Sequence, residues 1–153
     1  MDSLVVVCPH CDAPNRVPHN RLRAGGKCGK CHQALFEGTP VTLDDPARFA
    51  KHAEKSDIPL LVDFSANWCA PCHALAPIFR EAAAALEPDL RLVSVDVDKV
   101  PSLASAYAIR SVPTLAVIHH GKELGRLSGA VPLHQLIAWT RQHVTTPVGA
   151  SGE

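Results

Sequence analysis

Short apolar runs alternate with helical patterns from Val41, where a first short strand is expected, to His143. The apolar runs are rich in branched side chains, which is typical of strands buried on both faces. Such strands are predicted at 60–64, 90–97 and 114–119, with a hairpin strand at 123–128. Apolar residues at helical spacing predict helices at 45–56, 68–86, 102–107 and 131–143. The order βαβαβαββα indicates an α/β fold, with a central mixed sheet and helices on both faces.

Residues 1–38 lack this alternation and hold four of the six cysteines in the chain. Their apolar pieces, at 4–7 and 34–36, are too short to enclose a sizeable core, so this segment needs a staple. Gly38-Thr39-Pro40 is typical of a boundary between two units. We therefore expect a small N-terminal module over 1–38, a main domain over 39–146 and a loose tail over 147–153.

All six cysteines occur in C-x-x-C pairs, and two of these pairs lie in the N-terminal module. Two such pairs separated by sixteen residues can arrange four thiolates around one tetrahedral Zn²⁺ ion. The spacing therefore predicts a structural zinc site with the ligands Cys8, Cys11, Cys28 and Cys31. A set of redox-active dithiols is the alternative. His10 and His32 are alternative ligands, which we expect to lie in turns instead.

The third pair, Cys69-Ala-Pro-Cys72, stands in a different context, because it follows a predicted buried strand and opens a predicted helix. The unpaired N–H groups and the dipole at a helix N-terminus favour negative charge. Cys69 should therefore gain thiolate character and act as a nucleophile near neutral pH. Cys72 lies one helical turn further in and is expected to be less exposed. It would be the resolving thiol that attacks the mixed disulfide formed by Cys69.

Three motifs together resemble the thioredoxin family. They are Trp68-Cys-Ala-Pro-Cys72 after a Val-Asp-Phe strand, Ser111-Val-Pro-Thr114 about forty residues later, and Gly129-Ala130. The resemblance covers about Val41 to His143, and the four-cysteine module extends it to the zinc-binding, thioredoxin-2 type of bacterial thioredoxin. It implies a thioredoxin fold preceded by a small zinc-ribbon-like module, and the activity of a protein-disulfide reductase.

The resemblance also implies roles for individual residues. Asp63 lies in an apolar strand, where burial should raise its pKa, and it would be the proton acceptor for Cys72. Pro113 would be a cis proline that faces the cysteines and exposes the preceding backbone to an extended substrate strand. An apolar docking patch for protein substrates is implied at Trp68, Ala70, Pro71, Val112, Gly129 and Ala130.

The chain departs from the family pattern around Asp63. Ser65 replaces a tryptophan that is common in the family, and Ser94 replaces a lysine that is often found near the acid. Loss of that cation removes a partner that would hold the carboxylate ionised, so we expect Asp63 to titrate above an ordinary aspartate. Ala70-Pro71 replaces the usual Gly-Pro between the cysteines, and His73 either adds positive charge or is a solvated helix residue.

Composition narrows the classes of partner. The formal net charge is zero, no run is long enough to span a membrane, and no G-x-G-x-x-G motif occurs. We therefore expect no nucleic acid or membrane partner and no bound flavin or nucleotide. The N-terminus lacks the features of an export signal, which favours a cytoplasmic protein, and we expect a monomer. The resemblance implies an NADPH-dependent thioredoxin reductase as the electron donor.

Two rival functions stay open from the sequence. In the first, the zinc module makes the chain a redox-responsive chaperone or client-binding protein, and the thioredoxin domain is its scaffold. In the second, the cysteine pair acts as an oxidant or isomerase. The missing export signal disfavours the second rival, because disulfides form and persist in oxidising compartments.

Overall fold

The computed structural model describes residues 3–152, with side chains described for residues 3–144. Its strands are β1 Ser3–Val7, β2 Pro14–Pro18, β3 Val41–Thr42, β4 Leu60–Ser65, β5 Arg91–Asp96, β6 Thr114–His119 and β7 Lys122–Ser128. Its helices are α1 Pro46–Lys55, α2 Ala70–Leu86, α3 Pro101–Ala106 and α4 Leu133–Gly152. From β3 onward the order is βαβαβαββα, which confirms the prediction.

The main sheet has the strand order β3-β5-β4-β6-β7. Strands β3 and β4 run parallel to β5, whereas β6 is antiparallel to both β4 and β7. The predicted central mixed sheet is therefore confirmed. Strand β4 pairs with β5 on one side and with β6 on the other, so its backbone groups are satisfied within the sheet.

Two apolar cores cover the sheet, one on each face. On one face, α1 and α3 pack onto residues such as Val62 and Val93. On the other face, α2 and α4 pack onto residues such as Leu61 and Leu92. Side chains alternate between the faces along a strand, so Asp63, two residues after Leu61, lies on the α2 face.

Helix α2 begins at Ala70 rather than at Trp68, where the apolar pattern predicts its start. Cys69 is the N-cap: its backbone is extended, with φ −94° and ψ 113°, and its Sγ accepts the N–H of Cys72 at 3.2 Å. An N-cap residue lies outside the helical φ/ψ region, which explains the later start. Pro77 lies inside this helix.

Helix α4 is longer than predicted, since its backbone continues to Gly152 instead of ending at His143. The segment predicted as a loose tail, 147–153, is therefore helical backbone up to Gly152, and residue 153 lies outside the described residues. The helical backbone thus runs through Pro147 and Gly149, residue types that usually end a helix. No helix within residues 3–152 is long and apolar enough to cross a membrane.

The N-terminal module contains a two-stranded hairpin that docks near the beginnings of β4 and β5, at the opposite end of those strands from Cys69. Val5 donates its N–H to Asp57 Oδ2 at 2.7 Å and accepts the Asp57 N–H at 2.8 Å. Asp12 bridges to α1, where Arg48 donates two hydrogen bonds to its carboxylate at 2.7 and 2.9 Å. The sequence does not reveal this docking.

Arg91, the first residue of β5, is a buried charge between the module and the main domain, with 2% exposure. Its guanidinium donates to the carbonyl oxygens of Leu35 at 2.8 Å and Val7 at 3.1 Å. It also lies 4.4 Å from the centre of the Phe36 ring and 4.0 Å from Glu87 Oε2. Burial lowers the pKa of Arg91 and raises that of Glu87, and their mutual attraction opposes both shifts. The Arg91 side chain therefore binds the module at two points: at Val7, just before the first cysteine pair, and at Leu35, after the second.

Replacing Arg91 by methionine should destabilise the protein by about 3–5 kcal/mol, because two carbonyl oxygens and the Glu87 carboxylate lose a buried partner. Equilibrium urea unfolding measures this loss. The matched control is Arg23→Met, since Arg23 pairs with Asp89 on the surface, where ion pairs contribute little. Equal unfolding free energies for the two variants would show that Arg91 does not hold the module in place.

Candidate active site and metal centre

Cys69 and Cys72 form a disulfide where β4 ends and α2 begins. Their Cα atoms are 5.2 Å apart, and the residues are 4% and 5% exposed. The expected difference in exposure between Cys69 and Cys72 is therefore absent in the oxidised pair. The Cys72 N–H donates to Cys69 Sγ at 3.2 Å, and the dipole of α2 points the same way. In the reduced protein both effects favour negative charge on Cys69.

The loop before β6 lies next to Cys69. The Val112–Pro113 peptide bond is cis, which confirms the expectation drawn from the resemblance. The Val112 carbonyl oxygen lies 3.7 Å from Cys69 Sγ. Gly129 donates its N–H to the Pro113 carbonyl oxygen at 3.0 Å and has a φ of +88°, a left-handed conformation that favours glycine. The structure thus brings Cys69, Val112, Pro113 and Gly129 together, and Ala130 follows with its side chain exposed.

Trp68 is 72% exposed beside the disulfide, where Ala70 and Pro71 are also exposed. Its indole Nε1 donates to Asp98 Oδ2 at 2.9 Å, which favours one orientation of the ring. A groove of about 250 Å³ lies between Trp68 and Val112. An exposed aromatic side chain beside an apolar groove is typical of a surface that binds another protein.

Asp63 lies on β4 and is 4% exposed. Burial raises its pKa to about 7, which agrees with the expectation that it titrates above an ordinary aspartate. Its neighbours in the sheet are Ser94 on β5 and Leu115 on β6, and neither carries a charge. Its Oδ1 has no hydrogen-bond partner among the described residues. Asp63 and Cys72 line the same cavity, whose volume is about 360 Å³.

The four cysteines of the N-terminal module converge at one point. Their sulfur atoms all lie within 4.8 Å of one another, and the sulfurs of Cys8 and Cys31, like those of Cys11 and Cys28, are 3.6 Å apart. A tetrahedral centre with Zn–S bonds of about 2.3 Å places its sulfurs about 3.8 Å apart. The four residues therefore fit one zinc ion. His10 contacts Glu37 at 3.3 Å instead.

Both C-x-x-C pairs of the module fold into the same knuckle. The residue after the second cysteine is Asp12 in one knuckle and His32 in the other, with left-handed φ angles of 64° and 67°. Each donates its N–H to the carbonyl oxygen of the first cysteine. The N–H groups of His10 and Lys30 donate to the sulfur of the first cysteine in their own pairs, both at 3.3 Å. These geometries aim the sulfurs of the two pairs at each other.

The first cysteines of the two pairs, Cys8 and Cys28, have pKa values that are shifted in opposite directions. The backbone N–H of Cys31 contributes most to lowering the pKa of Cys28 to about 5, and the Asn15 amide and the Lys30 N–H also contribute. Burial raises the pKa of Cys8 to about 12. A coordinated metal ion reverses such an effect, since a thiol that binds it is deprotonated. The donor set is therefore that of a closed, structural zinc site.

Two side chains make contacts at these sites that the sequence does not predict, namely Asn15 and the exposed His73. Asn15 on β2 donates to Cys28 Sγ at 3.5 Å and accepts the Gly29 N–H at 2.8 Å, so it ties the hairpin to the second knuckle. His73 donates from Nε2 to the Asn67 carbonyl oxygen at 2.6 Å, at the entrance to α2. Both contacts depend on where the side chain points, and no local pattern indicates that.

Comparison with known families matches both parts of the chain. The profile of the thioredoxin family matches residues 40–142, which include the disulfide and the cis-proline loop. A zinc-ribbon family described as the N-terminal part of thioredoxin 2 matches residues 7–33, which include all four module cysteines. The resemblance drawn from the sequence motifs is therefore confirmed.

Individual relatives are also thioredoxins. Thioredoxin C-3 of Corynebacterium nephridii is 36% identical, over 95% of this chain and 99% of its own length. Thioredoxin 1 of a Nostoc species is 40% identical, over 63% of this chain and 90% of its own length. Among solved structures, a mutant thioredoxin from Halobacterium salinarum matches with a TM-score of 0.64 and 28% identity, covering 71% of this chain and 94% of that one. The fold is thus the thioredoxin fold, preceded by a zinc-ribbon module.

The stability of the oxidised protein should fall with rising pH because of Asp63. A free aspartate titrates near 3.9, whereas the folded one titrates at about 7, so the folded state binds this proton more tightly. The destabilising contribution is absent below about pH 4, grows between about pH 4 and pH 7, and reaches about 4 kcal/mol above that range.

Asp63→Asn should therefore raise the free energy of unfolding at about pH 8 and leave it little changed at about pH 4, measured by denaturant titration. The control is Asp45→Asn, at an exposed position where asparagine also serves as an N-cap residue, so the change in the free energy of unfolding should be small. An equal change in the free energy of unfolding at both pH values would show that the pKa of Asp63 is not raised in the folded protein.

Proposed function

The chain belongs to the thioredoxin family of thiol–disulfide oxidoreductases, and we propose that it is a protein-disulfide reductase in which Cys69 and Cys72 exchange with substrate disulfides. One observation carries the proposal: a disulfide links the N-cap cysteine of α2 to the cysteine one turn further in. The contacts of the two residues support different roles. Cys69 lies beside the carbonyl oxygen of the half-buried Val112, whereas Cys72 lines the cavity that Asp63 also lines.

In the reduced enzyme, the Cys69 thiolate attacks one sulfur of a substrate disulfide. The substrate S–S bond breaks as the Cys69–substrate bond forms, and the first substrate sulfur leaves as a thiolate that takes a proton from water. Cys72 then gives its proton to Asp63 and attacks Cys69 Sγ, which releases the second substrate sulfur. The substrate disulfide is thus reduced by two electrons, and the enzyme is oxidised to the Cys69–Cys72 disulfide.

Three features support Asp63 as the proton acceptor. Asp63 lines the same cavity as Cys72, which offers a proton a route between the two residues. Its pKa of about 7 suits a group that accepts and releases a proton near neutral pH. The unpaired Oδ1 leaves that oxygen free to receive the proton.

Protein substrates bind the docking patch, formed by Trp68, Ala70, Pro71, Val112, Gly129 and Ala130. An extended substrate strand pairs with the backbone of Val112, before the cis Pro113. The 72% exposure of Trp68 and the 3.7 Å approach of the Val112 carbonyl to Cys69 support this placement. An apolar side chain next to the substrate cysteine fits the groove between Trp68 and Val112.

An NADPH-dependent thioredoxin reductase returns the enzyme to the dithiol state after each turnover. This partner is inferred from the family to which the chain belongs. A reducing compartment such as the cytoplasm suits both the dithiol and a set of zinc thiolates. We infer that the protein acts there as a monomer.

Residues 1–38 form the zinc module and residues 39–146 the thioredoxin domain. Cys8, Cys11, Cys28 and Cys31 hold one zinc ion, which supplies a tetrahedral cross-link between the two knuckles. The small apolar core around Val6 and Leu35 supports a need for such a cross-link. Arg91 and the Asp12–Arg48 pair then fasten the cross-linked module to the thioredoxin domain.

Cys69→Ser should abolish the reduction of insulin disulfides, because the attacking sulfur is lost, whereas Cys72→Ser should trap a mixed disulfide with the substrate. Insulin turbidity with dithiothreitol measures the first effect, and non-reducing electrophoresis detects the trapped adduct. The Cys72→Ser adduct serves as the control for correct folding and docking. Two results together would favour the chaperone function instead. The wild type would fail to reduce insulin, and the Cys69→Ser variant would still prevent the aggregation of an unfolded client protein.

Native mass spectrometry should find one zinc ion bound to each chain, because four thiolates close its tetrahedral shell. Brief, limiting iodoacetamide at about pH 7 should label Cys69 in the reduced protein and spare the four zinc ligands. Cys28→Ser should lose the zinc and expose the remaining module thiols to the reagent. The contrary result would be a wild-type protein without zinc in which Cys8, Cys11, Cys28 and Cys31 are labelled by the reagent. That result would refute the structural zinc site and would identify these residues as redox-active dithiols.

A further inference from the structure

The turn that leads into α2 carries the exposed Trp68 and ends at Cys69. Residues 66–69 form this turn, in which the Cys69 N–H donates to the Ala66 carbonyl oxygen at 3.3 Å. Trp68 occupies the third position and is 72% exposed, so packing does little to restrain its indole ring. A mobile side chain loses conformational entropy when a partner immobilises it. Contacts that order the turn in the free protein therefore favour docking.

His73 supplies one such contact. It is the fourth residue of α2, and side chains in a helix lean toward the helix N-terminus, so the His73 ring reaches back to the turn. Its Nε2 donates to the Asn67 carbonyl oxygen at 2.6 Å. This oxygen belongs to the peptide group that joins Asn67 to Trp68. The hydrogen bond therefore restrains the backbone directly before Trp68.

Trp68 is thus held at two points. Asp98 accepts a hydrogen bond from the indole Nε1 at 2.9 Å, and His73 holds the peptide group that precedes the residue. The first contact orients the ring, and the second orients the backbone from which the ring projects. The two roles that the sequence leaves open for His73, a positive charge or a solvated helix position, do not account for this contact.

We propose that His73 is a positioning residue for protein substrates, because its hydrogen bond to Asn67 orders the turn that presents Trp68. The proposal rests on the disulfide-exchange function, in which Trp68 borders the groove where the substrate docks. The contact reaches the turn and not the reacting sulfurs. A protein substrate that covers the docking patch should therefore depend on His73, whereas a small disulfide that reaches only Cys69 should not.

The test compares a protein disulfide with a small, uncharged one. Reduced protein is mixed with excess zinc-free insulin, and its oxidation is followed by acid quenching and alkylation of the remaining thiols. The reaction with one equivalent of 4,4′-dithiodipyridine is followed by stopped-flow absorbance of the released thiopyridone. His73→Leu removes the donor at an exposed helix position. We expect the rate constant with insulin to fall about fivefold, the size of effect that one lost hydrogen bond produces, and the rate constant with 4,4′-dithiodipyridine to stay unchanged.

Two matched variants serve as controls. His73→Gln keeps an N–H donor on a side chain of similar reach and carries no charge, so it should recover most of the rate with insulin. His19→Leu makes the same substitution at an exposed histidine of the N-terminal module, which lies near Pro59, at the opposite end of β4 from Cys69. It should leave both rate constants unchanged.

Three results would overturn the proposal. A wild-type rate with insulin in His73→Leu would show that the contact does not assist docking. Equal slowing with both disulfides would show an effect on the thiols or on folding. A His73→Gln variant as slow as His73→Leu would show that the ring does not act as a hydrogen-bond donor. A wild type that reacted with 4,4′-dithiodipyridine but not with insulin would instead refute the protein-disulfide function, so the two failures are distinguishable.

Discussion

The burial of strand β4 on both faces determines where the reactive groups of this protein lie. Leu61 packs under α2 and α4, Val62 packs under α1 and α3, and the strand pairs with a neighbour on each side. This packing constrains the position of the end of β4, and of the turn that leads to Cys69, relative to Pro113 just before β6. The same constraint places Asp63 in an apolar environment, where its pKa rises to about 7. The raised pKa of the acid thus follows from its burial in the core.

The three cysteine pairs have the same spacing but form two kinds of site. The backbone enters a helix after Cys69, whereas it turns back on itself after each of the two module pairs. After Cys69 the chain enters a helix, so the N–H of Cys72 turns back onto Cys69 Sγ and the two sulfurs bond to each other. After the module pairs, Asp12 and His32 adopt left-handed conformations that turn the chain back on itself. The sulfurs of each knuckle then face the other knuckle, which is the geometry of a metal site.

The prediction from sequence succeeded where a signal is local and failed where side chains meet from distant parts of the chain. Element order followed from periodicity, and the raised pKa of Asp63 followed from an acid within an apolar run. The start of α2 was placed too early, because an N-cap residue is compatible with the helical pattern it precedes. The end of α4 was placed too early, because the helical backbone continues through Pro147 and Gly149, which usually end a helix.

By itself, the sequence determined the two knuckles, the cysteine pair at a helix start and the place of Asp63 in a buried strand. These features depend on residue types within a few positions of one another, and the backbone geometry of helices, strands and turns relates such positions directly. Only the tertiary structure decided that Arg91 fastens the zinc module to the sheet, and that Ser94 and Thr42 border a cavity beside Asp63. These contacts join residues far apart along the chain, and they depend on strand order and side-chain direction, which no local pattern of apolar and polar positions encodes.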